Sequence, residues 1–101
     1  MCGGKAESAL ELDLYGETLH IHTIDEGSGD CILLLHGWGA RGETYRCLID
    51  MLSPYFRVLA PDMPGFGESQ EPSFAYDTEH YAGFVEAFMK AQSIPRATVM
   101  G

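Results

Sequence analysis

The chain has 101 residues, of which 46% are hydrophobic and 21% are charged. This length suits one domain at most, and the composition is that of a globular protein, which excludes wholesale disorder and collagen-like structure. Six basic residues against fifteen acidic ones give a formal net charge of −9. Because an acidic surface repels phosphate groups, we expect no nucleic-acid partner and no docking on anionic membranes.

The first part of the chain has three segments with strand patterns. Residues 10–14 and 19–22 alternate apolar and polar side chains on either side of a turn at residues 15–17, which predicts a β-hairpin. Residues 31–35 form a short unbroken apolar run, which is typical of a strand covered on both faces in a parallel sheet.

The remaining chain alternates helix and strand patterns. Strands are predicted at residues 56–60 and 97–100, and each follows a helix with one apolar stripe. The first helix ends before Pro54, and Asp77 or Thr78 caps the second. The stripes are Tyr45, Leu48, Ile49 and Leu52, then Tyr81, Phe84, Val85, Phe88 and Met89. This order predicts an α/β fold with right-handed crossovers and a mainly parallel sheet.

Several classes of site receive no support from the sequence. The first eight residues lack the apolar stretch of a secretory signal, and no apolar run is long enough to cross a membrane, so a cytoplasmic location is expected. The cysteines show no C-x-x-C spacing that would indicate zinc. His20 and His22 share a strand face but have no nearby third ligand, so we interpret both as exposed polar residues and expect no metal.

A glycine-rich turn follows the third predicted strand and has three interpretations. Residues 37–44 differ by one residue from the phosphate-binding pattern G-x-x-x-x-G-K-[ST], but Glu43 replaces the lysine and would repel phosphates. The turn can instead direct backbone N–H groups towards a developing oxyanion, which is worth on the order of 3 kcal/mol in a dry site. It can also be a tight connection with no chemical role.

A second glycine motif, residues 62–69, follows the fourth predicted strand. A dinucleotide fingerprint would need glycine at Gln70, and a nucleophile elbow around Ser69 would need glycine at Glu71. A structural role is therefore predicted, in which Asp62 and Ser69 bond to nearby backbone and the glycines allow tight turns.

Taken together, the segments Ile32–Gly39, Asp62–Ser69 and Ala97–Gly101 resemble the first part of the α/β-hydrolase superfamily. Within it they are similar to carboxylesterase-like members, including pimeloyl-carrier-protein methyl ester esterases. The resemblance implies a partial α/β-hydrolase fold with sheet order 1-2-4-3-5, an N-terminal β-hairpin and two crossover helices. Residues 1–8 would be a tail, and residues 9–101 would be the N-terminal part of an incomplete hydrolase domain.

The resemblance also implies roles for particular residues. Gly37 and Trp38 would form the oxyanion and substrate-binding turn, with the N–H of Trp38 as one donor. Gly101 would be the first glycine of the nucleophile elbow. The residues that would shape the surrounding loops are His36, Gly39, Asp62, Gly65, Gly67 and Gly101.

No catalytic residue is expected within these 101 residues. None of the serines has glycine two residues away on both sides, and the family's order places the nucleophile, acid and base histidine later. We therefore expect an amino-terminal fragment that is inactive alone. Full length, it would be a serine hydrolase acting on ester or related acyl bonds, with a small-molecule ester-like substrate and no cofactor.

Two alternatives stay open. One is a relative of epoxide hydrolases or haloalkane dehalogenases with an aspartate nucleophile, although those relatives typically carry proline where this chain has Gly39. The other is a non-catalytic truncated product. The sequence specifies no oligomeric state.

Overall fold

The computed structural model describes residues 7–37 and 42–101. It opens with the predicted hairpin, formed by β1 (Glu7–Leu14) and β2 (Glu17–Glu26), which pair antiparallel. The two-residue turn between them places Tyr15 at φ 51° and Gly16 at φ 82°. Positive φ at both central positions suits the right-handed twist of the flanking strands. β1 begins at Glu7, inside the segment expected as a tail, because β2 is long enough to pair with it there.

The five strands in the described ranges form one sheet in the order β1-β2-β4-β3-β5. The other three are β3 (Cys31–Leu34), β4 (Arg57–Pro61) and β5 (Thr98–Met100). β2 runs antiparallel to both of its neighbours, whereas β3 runs parallel to β4 and β5. Four of these strands therefore share one direction, and both the predicted order and the mainly parallel character are confirmed.

Two α-helices lie in the described part of the chain. The first predicted stripe is divided between a 3₁₀ turn (Gly42–Tyr45) and α1 (Arg46–Leu52). The second helix, α2 (Thr78–Ala91), begins after the N-cap residue Asp77. The Asp77 carboxylate accepts the His80 N–H at 3.0 Å, and His80 Nδ1 accepts the Asp77 N–H at 3.1 Å. Neither helix is long and apolar enough to span a membrane.

The sheet is covered on both faces, which explains the unbroken apolar strands. In β3 the side chain of Leu33 joins one core cluster, whereas Ile32 and Leu34 join the other. The cluster under α2 consists of Leu12, Leu14, Leu19, Ile21, Leu33, Leu59, Phe84, Phe88 and Ile94. The cluster under α1 consists of Ile24, Ile32, Leu34, Ile49, Val58 and Ala60. Burial of successive residues on opposite faces confirms the prediction of a doubly covered strand.

Candidate functional site

The site is built at the edge of the sheet where the parallel strands end. β3 continues into Leu35, whose N–H bonds to the carbonyl of Met100 in β5 at 2.8 Å. Gly101 lies beside this point, because a Cβ built on it would be 3.6 Å from the carbonyl oxygen of Leu35. The turn at His36–Gly37 therefore starts next to the end of β5. Carboxyl ends of strands in open α/β sheets are where ligands bind.

His36 connects this turn to the loop after β4. Its Nε2 lies 2.8 Å from the Met63 N–H nitrogen, and its Nδ1 lies 2.9 Å from the carbonyl oxygen of Gly37. Because an amide N–H only donates and a carbonyl only accepts, the ring carries its proton on Nδ1 and is neutral. His36 is 8% exposed. Both ring nitrogens are occupied by backbone, so this imidazole holds a loop in place and is not free to accept a substrate proton.

Asp62 is the most connected buried carboxylate near the turn, with 1% exposure. Its Oδ1 accepts the N–H of Gly42 at 2.6 Å. Its Oδ2 accepts the N–H of Glu68 at 2.9 Å and lies 3.0 Å from Nδ1 of His22. One side chain thus joins the 3₁₀ turn, its own loop and β2. Charge-assisted bonds of this kind are about twice as strong as neutral ones.

These contacts fasten the glycine turn at both ends. His36, before the turn, is bonded to Met63, and Gly42, after it, is bonded to the adjacent residue Asp62. The predicted oxyanion donor Trp38 and the loop residue Gly39 fall at positions 38–41, outside the described residues. Gly37 is described and exposed. The described residues on the two sides of positions 38–41, His36 and Gly42, are therefore each bonded to one of two neighbouring residues of the β4 loop.

Ser69 and His22 complete the bonding around Asp62. The Ser69 hydroxyl donates to the carbonyl of Asp62 and accepts the N–H of His22 at 3.0 Å. A hydroxyl whose proton is donated to a main-chain carbonyl is not an activated nucleophile. Serine, histidine and aspartate are close together here, yet they form a structural network.

The interpretation of His22 as an exposed residue was wrong. Its side chain is 18% exposed and pairs with Asp62, whereas the side chain of His20 is 68% exposed and lies 3.5 Å from Glu11. The reason is tertiary, because the loop after β4 crosses β2, and the Gln70 N–H bonds to the carbonyl of His20 at 2.8 Å. Strand alternation places both histidines on one face but carries no signal of the loop that covers only one of them.

The two loop glycines predicted after β4 have left-handed backbone conformations. Gly65 has φ 89° and Gly67 has φ 53°, a region that side-chain-bearing residues avoid. Gly42 was missed as a close-approach position. A Cβ there would collide with the carbonyl oxygen of Ala60, so only glycine brings its N–H to the Asp62 carboxylate.

A small cavity lies beside the turn, with a volume of about 180 Å³. Its lining residues are His36, Gly37, Met63, Phe66, Thr78 and Tyr81. A neighbouring cavity of about 440 Å³ extends from Phe66 and Tyr81 along the loop to Tyr76. Burial raises the pKa of Tyr81, whose hydroxyl donates to the carbonyl of Pro64 at 3.3 Å.

The described residues contain no group of three or more His, Cys, Asp or Glu side chains that would hold a metal ion. The ionisable groups at the candidate site are instead bonded to backbone, as at His36, or to one another, as at His22 and Asp62. Among the described residues, the site offers the apolar cavity beside Gly37, whereas the backbone N–H groups of Gly42, Met63 and Glu68 are already bonded to side chains.

Comparison with known proteins adds the following similarities. The sequence profile described as alpha/beta hydrolase fold matches residues 30–101. The chain is 50% identical over 46 residues to the pimeloyl-[acyl-carrier protein] methyl ester esterase of Yersinia pseudotuberculosis, a match that covers 45% of this chain and 18% of that enzyme.

Solved structures are similar over nearly the whole chain. A haloalkane dehalogenase from Agrobacterium tumefaciens has a TM-score of 0.80 at 31% identity, covering 95% of this chain and 32% of that one. An epoxide hydrolase has a TM-score of 0.79 at 29% identity, covering 94% and 33%. The chain thus spans about a third of the length of these two proteins.

Proposed function

Because the chain belongs to the alpha/beta hydrolase fold family, we propose that residues 9–101 form the amino-terminal part of a cytoplasmic hydrolase domain that acts on an ester or related acyl bond of a small molecule. The proposed part contributes half of the active site, namely the turn that holds the substrate oxygen. The nucleophile, acid and base come from polypeptide beyond these 101 residues, in keeping with the greater length of the similar proteins.

The observation that carries this proposal is the double attachment of the glycine turn. An oxyanion donor lowers a barrier only if it is already in place when charge develops on the substrate oxygen. Here Met63 holds the turn through His36, and Asp62 holds it through Gly42.

In the proposed mechanism a serine attacks the substrate carbonyl and a histidine takes the serine proton and returns it to the leaving group. The N–H of Trp38 donates to the oxygen of the tetrahedral intermediate. His36, Asp62, Gly65 and Gly67 keep the surrounding loops in position, and Gly101 follows β5 beside the end of β3.

A second candidate is displacement at an alkyl halide or epoxide by an aspartate nucleophile. It is favoured by similarity to the haloalkane dehalogenase over 95% of the chain. The ester function is preferred because the higher sequence identity, 50% over 46 residues, is to a methyl ester esterase. It is also preferred because position 39 holds glycine, whereas haloalkane dehalogenases and epoxide hydrolases typically carry proline there.

A segment exchange tests the proposal. Residues 9–101 replace the equivalent segment of the Yersinia methyl ester esterase, and hydrolysis of a short p-nitrophenyl ester is measured. We expect the chimera to be active and Trp38→Pro, which lacks the N–H, to lower kcat by about 10²–10³. The control Trp38→Ala keeps the N–H and should stay within roughly tenfold of the chimera.

Two results would contradict the proposal. One is a folded chimera with no esterase activity, and the other is equal activity of the proline and alanine variants. The same exchange into the haloalkane dehalogenase, assayed by halide release, addresses the second candidate. Activity there, with none in the esterase chimera, would favour the aspartate mechanism. Failure of both folded chimeras would favour a non-catalytic product.

A further inference from the structure

The larger of the two cavities along the β4 loop combines aromatic rings with one acidic side chain. Its volume is about 440 Å³. Its described lining includes Phe66, Phe74, Tyr76, Tyr81 and Glu71. Phe74 and Glu71 line this cavity and do not line the smaller one beside Gly37. These two side chains therefore report on the larger cavity separately from the turn after β3.

The four aromatic rings of this lining form a row in which each ring contacts the next. The ring centroids are 6.5 Å apart for Phe66 and Tyr81, 5.3 Å for Tyr81 and Tyr76, and 5.2 Å for Tyr76 and Phe74. The ring planes of these pairs meet at 43°, 67° and 45°. Because rings inclined in this way do not cover one another, the row presents ring faces as well as edges. The face of an aromatic ring carries the negative part of its quadrupole.

Residues outside the lining hold the row in position. Tyr15, in the hairpin turn, meets Tyr76 edge to face at 5.7 Å. His80, in the first turn of α2, stacks on Tyr76 at 5.2 Å. The Glu17 carboxylate accepts the N–H of Ser73 at 3.1 Å, which attaches the lining loop to β2. The rings are therefore ordered before a ligand arrives, which lowers the entropic cost of binding.

Glu71 adds a negative charge to the same lining. Its side chain is exposed and forms no ion pair or hydrogen bond with any residue of the described ranges 7–37 and 42–101. The Cγ of Glu71 lies 4.0 Å from a Cβ built on Gly65, another lining residue, so the side chain runs along the loop. An unpaired carboxylate in a chain of net charge −9 attracts cations.

We propose that this cavity binds a quaternary ammonium group, with its methyl groups against the aromatic rings and its charge near the carboxylate of Glu71. A quaternary nitrogen has no N–H and needs no hydrogen-bond acceptor, and aromatic rings attract it through their negative faces. A divalent metal ion requires about six oxygen ligands, whereas the described lining has one carboxylate. The inference goes beyond the proposed function, because this binding needs no nucleophile, acid or base.

The test is a titration with choline and with the neutral isostere dimethylbutanol, in which a carbon atom replaces the ammonium nitrogen. Binding is followed by NMR of the aromatic rings, both in the 101-residue chain and in the esterase chimera. We expect saturable choline binding with a dissociation constant on the order of 1–10 mM. Dimethylbutanol should bind at least roughly tenfold more weakly, because it has the same shape but no charge.

Two variants separate the charge from the rings. Glu71→Gln keeps the shape of the side chain and should weaken choline binding by roughly fivefold without changing dimethylbutanol binding. Phe74→Leu should weaken choline binding by roughly threefold, and the 40% exposure of Phe74 limits its effect on folding. The controls Glu86→Gln and Tyr55→Leu remove an exposed carboxylate and an exposed ring that do not line the cavity. Both controls should stay within about twofold of the parent chain.

Three results would overturn the inference. The first is the absence of saturable choline binding in both proteins, and the second is equal affinity for choline and dimethylbutanol. The third is a loss of choline binding in Glu86→Gln as large as that in Glu71→Gln. Ester hydrolysis by the chimera is measured separately, so choline binding without hydrolysis would support this inference and contradict the proposed function.

Discussion

Replacement of Asp62 gives the sharpest test of how the glycine turn is held. Its carboxylate is 1% exposed and accepts the backbone N–H groups of Gly42 and Glu68. It also lies 3.0 Å from Nδ1 of His22. Asp62→Ala removes all three bonds at once and leaves two backbone donors without an acceptor. Asp62→Asn keeps the shape and one acceptor oxygen.

The magnitude follows from the number of bonds lost. Hydrogen bonds to a charged group contribute about 1.5–3 kcal/mol each, and a buried donor left unpaired costs about 1–3 kcal/mol. Because water can reach part of the opened site, we expect Asp62→Ala to lower the free energy of unfolding by about 3–5 kcal/mol. Asp62→Asn retains the bond to one N–H and should lose roughly half of that amount.

Urea unfolding followed by circular dichroism measures these free energies, and exchange of the Gly42 amide with solvent deuterium reports on the bond itself. Asp13→Ala is the matched control, because the Asp13 carboxylate is exposed and its bond, at 2.6 Å, is to the Thr18 hydroxyl. The control should stay within about 0.5 kcal/mol of the parent chain. If Asp62→Ala is no more destabilising than Asp13→Ala, or if Gly42 exchange is unchanged, the proposed attachment of the turn is refuted.

Three further outcomes are expected. Gly27→Ala should lower the free energy of unfolding by at least about 2 kcal/mol in thermal unfolding, because Gly27 has φ 87° and a Cβ there meets backbone carbonyls. The control Gly16→Ala, at φ 82° with open space around it, should cost about 1 kcal/mol. Equal losses in the two variants would contradict the packing argument. The His80 N–H lowers the pKa of Asp77 below 3.8, so ionised Asp77 stabilises the fold above that pH and the contribution is lost as pH falls through the lowered pKa. An NMR titration should show the lowered pKa of the Asp77 carboxyl, and an unshifted pKa would refute the prediction. Asp77→Asn should reduce the stability that the chain loses between about pH 5 and pH 3. In the presence of the 101-residue chain alone, p-nitrophenyl acetate should be hydrolysed only at the uncatalysed rate, since none of its serines lies in a G-x-S-x-G elbow. Robust turnover would show that a nucleophile was overlooked.

Local sequence patterns were sufficient to predict the hairpin and the second helix, because each of these elements depends on residues that are neighbours in the chain. Two adjacent residues at positive φ close the hairpin, and the second helix begins where Asp77 can accept the His80 N–H. The apolar stripe predicted one helix that includes Tyr45, whereas the structure has a 3₁₀ turn before α1, and the reason for this difference is tertiary. Gly42 is drawn against Ala60 and Asp62, and the tighter 3₁₀ turn absorbs that approach before α1 begins.

Periodicity and turn chemistry alone determined the α/β character, the doubly covered strands and the two glycine motifs, and the resemblance they support led to the sheet order. The pairing of His22 with Asp62, the neutral form of His36 and the cavity bounded by Phe66 depended on tertiary structure. The physical reason is separation along the chain, since the Asp62 carboxylate meets partners from β2 and the 3₁₀ turn that no local pattern connects to it. Only the folding of the β4 loop across the sheet brings a buried charge, its backbone donors and the glycine turn to one place.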